Sequence, residues 1–262
     1  SAGAYEAHDH DVLGKLVPED GSVQLTPITE RYGVLVLAGP KSRDVLSKLT
    51  RTSLSNDDFK WLTGKKISVG RATANALRVN FVGELGWELH IPMDKMSEVY
   101  DLLFKEGQSE NIRDFGSRAL NSMRMEKGYR GWGSELTPEI SVVEASLDKF
   151  FNLDKKDSFI GSDAVKERLK KGIDTKLVYL EVDAKDADAH GNEPVYFNNE
   201  RVGLTTSGGY GFRVKKSLAF AYVKPDTAKL GNEFTIDIQG NIIKATIIKE
   251  PAFDPENLRL KS

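Results

Sequence analysis

Cysteine is absent from the 262 residues. Disulfides, thiolate zinc sites, cysteine-ligated clusters and cysteine nucleophiles are therefore excluded within this chain. An excess of either charge is also lacking: 37 Lys+Arg stand against 39 Asp+Glu, for a net charge of -2 and a pI near 6.1. The basic footprint of a nucleic-acid binder is missing, so no nucleic-acid partner is expected. No run approaches the roughly 18 uncharged apolar residues of a membrane helix, and no membrane partner is expected either. The opening Ser1-Ala2-Gly3-Ala4-Tyr5-Glu6 has neither a signal peptide's apolar core nor a transit peptide's arginines, which makes the cytoplasm the default expectation. What is present is 39% hydrophobic and 29% charged, enough for one large or two modest domains.

The sequence changes character near residue 172. Before it, strands and helices mix. Val34–Leu37 reads as a strand stopped by Gly39-Pro40, and Ser42–Leu49 as a helix. Ala76–Val82 and Trp87–Ile91 read as strands flanking a turn at Gly83–Gly86. Met93–Phe104 has helical spacing with Gly107 placed as its C-cap, and Asp114–Lys127 reads as a helix stopped by Gly128. Val142–Phe151 and Asp163–Lys171 are further helix candidates. After Gly172 the helical period disappears, and six short strand candidates between residues 177 and 249 alternate with turn signals such as Gly208-Gly209. The expected class is α+β, with residues 1–172 as one domain and 173–262 as a small antiparallel β-barrel.

Two segments are dense in chemistry. In Phe81-Val82-Gly83-Glu84-Leu85-Gly86-Trp87-Glu88, two carboxylates and two aromatics surround a glycine turn. A carboxylate beside aromatic rings suits a flat heterocycle with adjacent N–H donors. The same residues also read as a plain hairpin, with Glu84 solvated and Glu88 paired to a neighbouring strand. The second segment, Arg124 to Glu135, places three glycines among aromatic and charged residues after Arg118. Such a loop folds against ligands, and Arg118 can meet an anionic tail. The alternative has Arg118, Arg124 and Glu126 as helix-surface ion pairs of small value. His8, Asp9, His10 and Asp11 read as a solvated helix entry rather than a metal site. His90 and His190 stand alone without an assigned role, and no nucleophile-elbow sequence is present.

Together these motifs resemble the glycine-cleavage T-protein (aminomethyltransferase) superfamily. Gly83-Glu84-Leu85-Gly86-Trp87-Glu88-Leu89 is similar to its signature, and Leu37-Ala38-Gly39-Pro40-Lys41-Ser42 to its upstream strand–helix step. Arg31–Pro40, Glu126–Gly133 and Phe159-Ile160-Gly161 are most similar to the folate-binding region of dimethylglycine and sarcosine dehydrogenases. The resemblance implies tetrahydrofolate as cofactor, with Glu88 on the pterin edge, Arg118 at the folate's glutamate tail, and Trp132 and Phe81 lining the pocket beside Glu84. That branch tends to carry Tyr seven residues before the pterin Glu, and here the residue is Phe81. The implied function is passage of a methylene unit from an N-methylated amino acid, dimethylglycine or sarcosine, to tetrahydrofolate. FAD is expected only with an upstream flavin-bearing domain or subunit. The family's catalytic Asp lies in the first third of the fold, which is expected to lie before Ser1, so no catalytic residue is assigned here. The alternatives are a free-standing aminomethyltransferase, another folate-dependent demethylase, or a non-catalytic folate-binding module. Relatives used in iron–sulfur protein maintenance carry a Cys-containing signature that this chain lacks. A eukaryotic source would move the expected compartment to the mitochondrial matrix.

Overall fold

The computed structural model describes residues 3–262. Backbone packing gathers them into two compact units. One runs to Asp114 and takes back the tail Asn257–Ser262; the other is Phe115–Glu256.

The first unit contains helix α1 (Glu6–Gly14), strand β1 (Tyr32–Ala38), helix α2 (Ser42–Ser47), strands β2 (Gly64–Val69), β3 (Ala72–Leu77) and β4 (Gly86–Pro92), and helix α3 (Met96–Gly107). The strands form one antiparallel sheet in the order β1-β4-β3-β2. Alternate residues point to opposite faces. Leu37, Ile67, Val69, Ala74, Ala76, Trp87, Leu89 and Ile91 therefore join Val45 and Leu46 of α2 and Val99 and Leu103 of α3 in one core. The intervening residues, among them Val36, Leu77, Glu88 and His90, form the opposite face.

Two local expectations are corrected here. The strand expected over 76–82 is β3, which starts at Ala72 and stops at Leu77. The next residue, Arg78, is buried and turns its guanidinium to the carbonyls of Phe59 (2.7 Å) and Ser262 (3.0 Å). Gly107 is not the cap of α3. The helix tightens into a 3₁₀ turn over Gln108–Glu110, and Asn111 takes the left-handed position at φ 57°. Ile112 N–H then donates to Gly107 O at 3.1 Å, closing a Schellman turn. Glycine is needed at 107 for space: a Cβ would stand 2.8 Å from Ile112.

The second unit contains helices α4 (Ser117–Glu126) and α5 (Ser162–Lys171) and strands β5 (Lys176–Val182), β6 (Pro194–Phe197), β7 (Glu200–Gly211), β8 (Lys216–Val223), β9 (Glu233–Ile238) and β10 (Asn241–Ile247). A short helix α6 (Leu258–Lys261) lies in the tail belonging to the first unit. The six strands close into an antiparallel barrel in the order β10-β5-β8-β7-β6-β9. Val178, Leu180, Val195, Ala219, Phe234, Ile236 and Ala245 are among the residues of its core. Closure removes the exposed edges of a sheet. Helix α4 packs on this barrel because Asn121 Nδ2 and Ser122 Oγ donate to the carbonyls of Gly208 (3.0 Å) and Tyr210 (2.6 Å).

Gly208-Gly209 is strand rather than turn: β7 runs through both, with an irregularity between Thr205 and Ser207. A Cβ at 208 would stand 2.4 Å from Ala189 O, so the glycine marks close backbone approach. The helix expected over 142–151 is replaced by a turn and a 3₁₀ segment, Asp148–Phe150. Glu144 accepts from Ser141 N (3.1 Å) and from its hydroxyl, and Ser146 adopts the left-handed conformation at φ 53°. That combination closes the chain after one turn.

Candidate functional site

In the first unit the two signature segments are joined. Gly39 N–H (2.8 Å) and Ser42 Oγ (3.0 Å) both donate to Leu85 O, so the β1–α2 step holds the turn that precedes β4. Gly86 lies opposite Ala38, where a Cβ would meet Leu37 O at 2.6 Å. Asn80 braces the same turn, donating to Glu84 O (2.6 Å) and accepting from Val82 N (3.0 Å). Phe81 is exposed at its tip and Glu84 half-buried within it.

Glu88 follows on β4 with its side chain on the face away from the core. Its register partners are Val36 and Leu77, both apolar, so no cation faces it across the sheet. An imidazole, His90, lies two residues along the same face, with Nε2 3.7 Å from Glu88 Oε2. That Nε2 is shielded from solvent and makes no hydrogen bond. His90 went unassigned from sequence, although its period-2 spacing from Glu88 was the available signal. A groove of about 620 Å³ lies between this face, at Val34, Leu77 and His90, and Glu6, His10 and Leu13 of α1; Glu88, Glu84 and Phe81 are not among its lining residues.

In the second unit Arg118 is the second residue of α4 and is exposed. The helix starts at Gly116 with no side-chain cap, so a cation and uncapped amide donors share one helix end. Helix α4 ends in a Schellman turn: Tyr129 N–H donates to Arg124 O and Gly128 N–H to Met125 O, both at 3.0 Å, with Gly128 at φ 68°. The loop beyond carries Trp132, which is 42% exposed.

The charges around this turn are not surface pairs. Arg124 and Glu126 are buried, and so is Lys127. Arg124 Nη1 donates to Glu135 Oε2 at 2.8 Å, and Glu126 accepts from Arg213 Nε at 2.9 Å and Arg213 N at 2.6 Å. Lys127 lies 3.4 Å from Asp254, and Arg130 Nη2 donates to Glu250 Oε2 at 3.0 Å. Each charge is matched by an opposite one, Arg124 by Glu135 in the loop that follows α4 and the other three by residues far away in sequence, as burial demands. Burial pushes the Glu135 carboxyl up, but the Arg124 guanidinium and hydrogen bonds from Ser207, Gly131 and Thr206 outweigh it, and the net shift is downward. Sequence reasoning missed Glu135, whose one local clue was a carboxylate closing a glycine-rich loop.

The structure thus places Phe81, Glu84 and Glu88 in one unit and Arg118 and Trp132 in the other. A four-stranded antiparallel sheet in one unit and a closed six-stranded barrel in the other set the fold class. Residues 1–155 match the family described as GCVT N-terminal domain, and residues 175–254 the Glycine cleavage T-protein C-terminal barrel domain. The chain belongs to the glycine-cleavage T-protein family.

Within that family its relatives include mitochondrial dimethylglycine dehydrogenase of Rattus norvegicus, 39% identical over 98% of this chain and 30% of the relative. Mitochondrial sarcosine dehydrogenase of Mus musculus is 32% identical over 99% of this chain and 29% of that protein. The chain therefore spans under a third of these dehydrogenases. The crystal structure of glycine cleavage system aminomethyltransferase T from Bartonella henselae shares the fold, with a TM-score of 0.79 at 22% identity over 95% of this chain and 66% of that one. No helix among the described residues is long and apolar enough to cross a membrane.

Proposed function

We propose that this chain is the tetrahydrofolate-binding part of a one-carbon transfer enzyme that takes a methylene unit from an N-methylated glycine derivative. The observation that carries the reading is Glu88: a carboxylate flanked across the sheet by Val36 and Leu77 and left with acceptor capacity. A pterin edge offers an amino group and a ring N–H side by side, and one carboxylate can accept both. His90 lies beside Glu88 on the same face of the sheet, with Nε2 3.7 Å from its Oε2. Arg118, with the uncapped start of α4, suits the carboxylates of a glutamate tail. Trp132 and Phe81 offer ring surface, and Phe81 does so without a phenol hydroxyl.

Bound tetrahydrofolate supplies the amines that accept the one-carbon unit. The residues of this chain bind and orient it, which makes the transfer effectively intramolecular. The names of the two dehydrogenase relatives favour dimethylglycine or sarcosine as donor, with a flavin-bearing domain or subunit as partner and FAD as its cofactor. Both relatives are mitochondrial by name, and the matrix is the compartment proposed for a eukaryotic source. Isothermal titration with tetrahydrofolate, with Glu88→Ala as control, tests the reading. Saturable binding weakened at least about a hundredfold in the variant is expected, since two hydrogen bonds to a charged group contribute about 1.5–3 kcal/mol each. Equal binding by both proteins removes Glu88 from the site.

A further inference from the structure

Glu135 is fully buried, and its carboxylate has no acceptor capacity left for a ligand. Oε2 accepts from Arg124 Nη1 (2.8 Å), Gly131 N (2.7 Å) and Ser134 Oγ (3.1 Å). Oε1 accepts from Thr206 Oγ1 (2.7 Å) and from the Ser207 hydroxyl. Its backbone carbonyl accepts from Tyr222 OH at 2.8 Å. One side chain thus ties the loop to α4 through Arg124 and to β7 through Thr206 and Ser207.

The consequence falls on Trp132. Both residues beside it are pinned through their amides: Gly131 N–H to the Glu135 carboxylate, and Gly133 N–H to Leu136 O at 2.7 Å. A side chain at 131 would displace Ser134, since a Cβ there would stand 2.6 Å from Ser134 Oγ. Arg124 also binds Tyr129 O (3.0 Å) and Asn121 Oδ1 (2.9 Å), extending the bracing to the start of the loop. A large aromatic left 42% exposed on a backbone held this firmly is preorganised, and preorganisation lowers the ordering cost of binding.

We propose that Glu135, held by Arg124, is a positioning residue that fixes the Trp132 indole as a preformed wall for a flat aromatic ligand. The inference rests on the folate reading for the identity of that ligand, but not for the bracing itself. Labelling the full chain with 5-fluorotryptophan separates the two. Its three tryptophans give three ¹⁹F resonances; Trp61 and Trp87 belong to the other compact unit and serve as internal controls. A Trp132→Phe spectrum assigns the third.

In Glu135→Gln the Trp132 resonance is expected to shift or broaden while those of Trp61 and Trp87 stay in place, and tetrahydrofolate binding to weaken about tenfold. An unmoved Trp132 resonance overturns the bracing. A moved resonance with unchanged tetrahydrofolate affinity overturns the role in binding. If wild-type protein binds no tetrahydrofolate, the folate reading fails while the resonances still decide the bracing. Should Glu135→Gln lose all three native resonances, Thr206→Val removes a single donor to Oε1. A displacement of the Trp132 signal alone is then expected, and a spectrum superimposable on wild type contradicts the proposal.

Discussion

Glu88 and Glu135 are the same side chain in opposite circumstances. Glu135 sits at zero exposure with donors on both oxygens and a guanidinium 2.8 Å away. Glu88 is half-buried on the sheet face away from the core, with apolar residues on both flanks and an imidazole at 3.7 Å. The first has spent its acceptor capacity on the fold, and the second has kept it. A carboxylate's role is therefore read from which of its lone pairs are already occupied, more than from its burial or from the motif around it.

The largest effect should come from breaking the saturated site. Arg124→Met leaves the Glu135 charge buried without its cation, which costs about 3–5 kcal/mol. Chemical denaturation should show that loss, whereas Glu88→Ala should cost no more than about 1 kcal/mol, the scale of a solvent-accessible pair. Equal destabilisation by the two would erase the distinction.

Acid sharpens the same contrast. The carboxyl of Glu135 is lowered in the folded chain, as is that of Glu193, where burial pushes up but hydrogen bonds from Thr205, His190 and Gly191 win. Unfolding frees both to bind protons at higher pH, so their stabilisation is complete above the ordinary carboxylate range, about pH 4.3, and is lost as pH falls through their folded values. Melting temperature followed from pH 6 to pH 3 should fall. The slope should be shallower in Glu135→Gln than in wild type.

A smaller effect is expected at Phe81. Phe81→Tyr adds a phenol hydroxyl to the ring, and a new hydrogen bond to ligand contributes about 0.5–1.5 kcal/mol. Tetrahydrofolate should bind up to about tenfold more tightly, with stability unchanged because Phe81 is exposed. Weaker binding would place Phe81 away from the ligand.

Much of the barrel was legible because its strands alternate and its turns carry Asn, Gly and Pro: the six strands found between Lys176 and Ile247 match in number and place the six expected between residues 177 and 249. The continuation of β7 through Gly208-Gly209 was hidden, since a glycine chosen for close approach to Ala189 O looks the same in sequence as a turn glycine. The false helix over 142–151 has the same root: its apolar spacing is helical, but Glu144 bonds back to Ser141 and closes the turn. At the site, Glu88 was visible as part of a compact motif. Glu135 was not, because its partners Thr206 and Ser207 lie about seventy residues away on a strand, and only the folded barrel brings them together.

The central claim is that Glu88 keeps its acceptor capacity for a ligand. Isothermal titration of tetrahydrofolate into wild type and Glu88→Gln, each with its melting temperature, tests it most directly. The isosteric amide removes the charge and one acceptor while leaving the shape. The account predicts affinity at least tenfold weaker in the variant at an unchanged melting temperature. Wild-type affinity in Glu88→Gln would contradict it, as would a loss of affinity that merely follows a loss of stability.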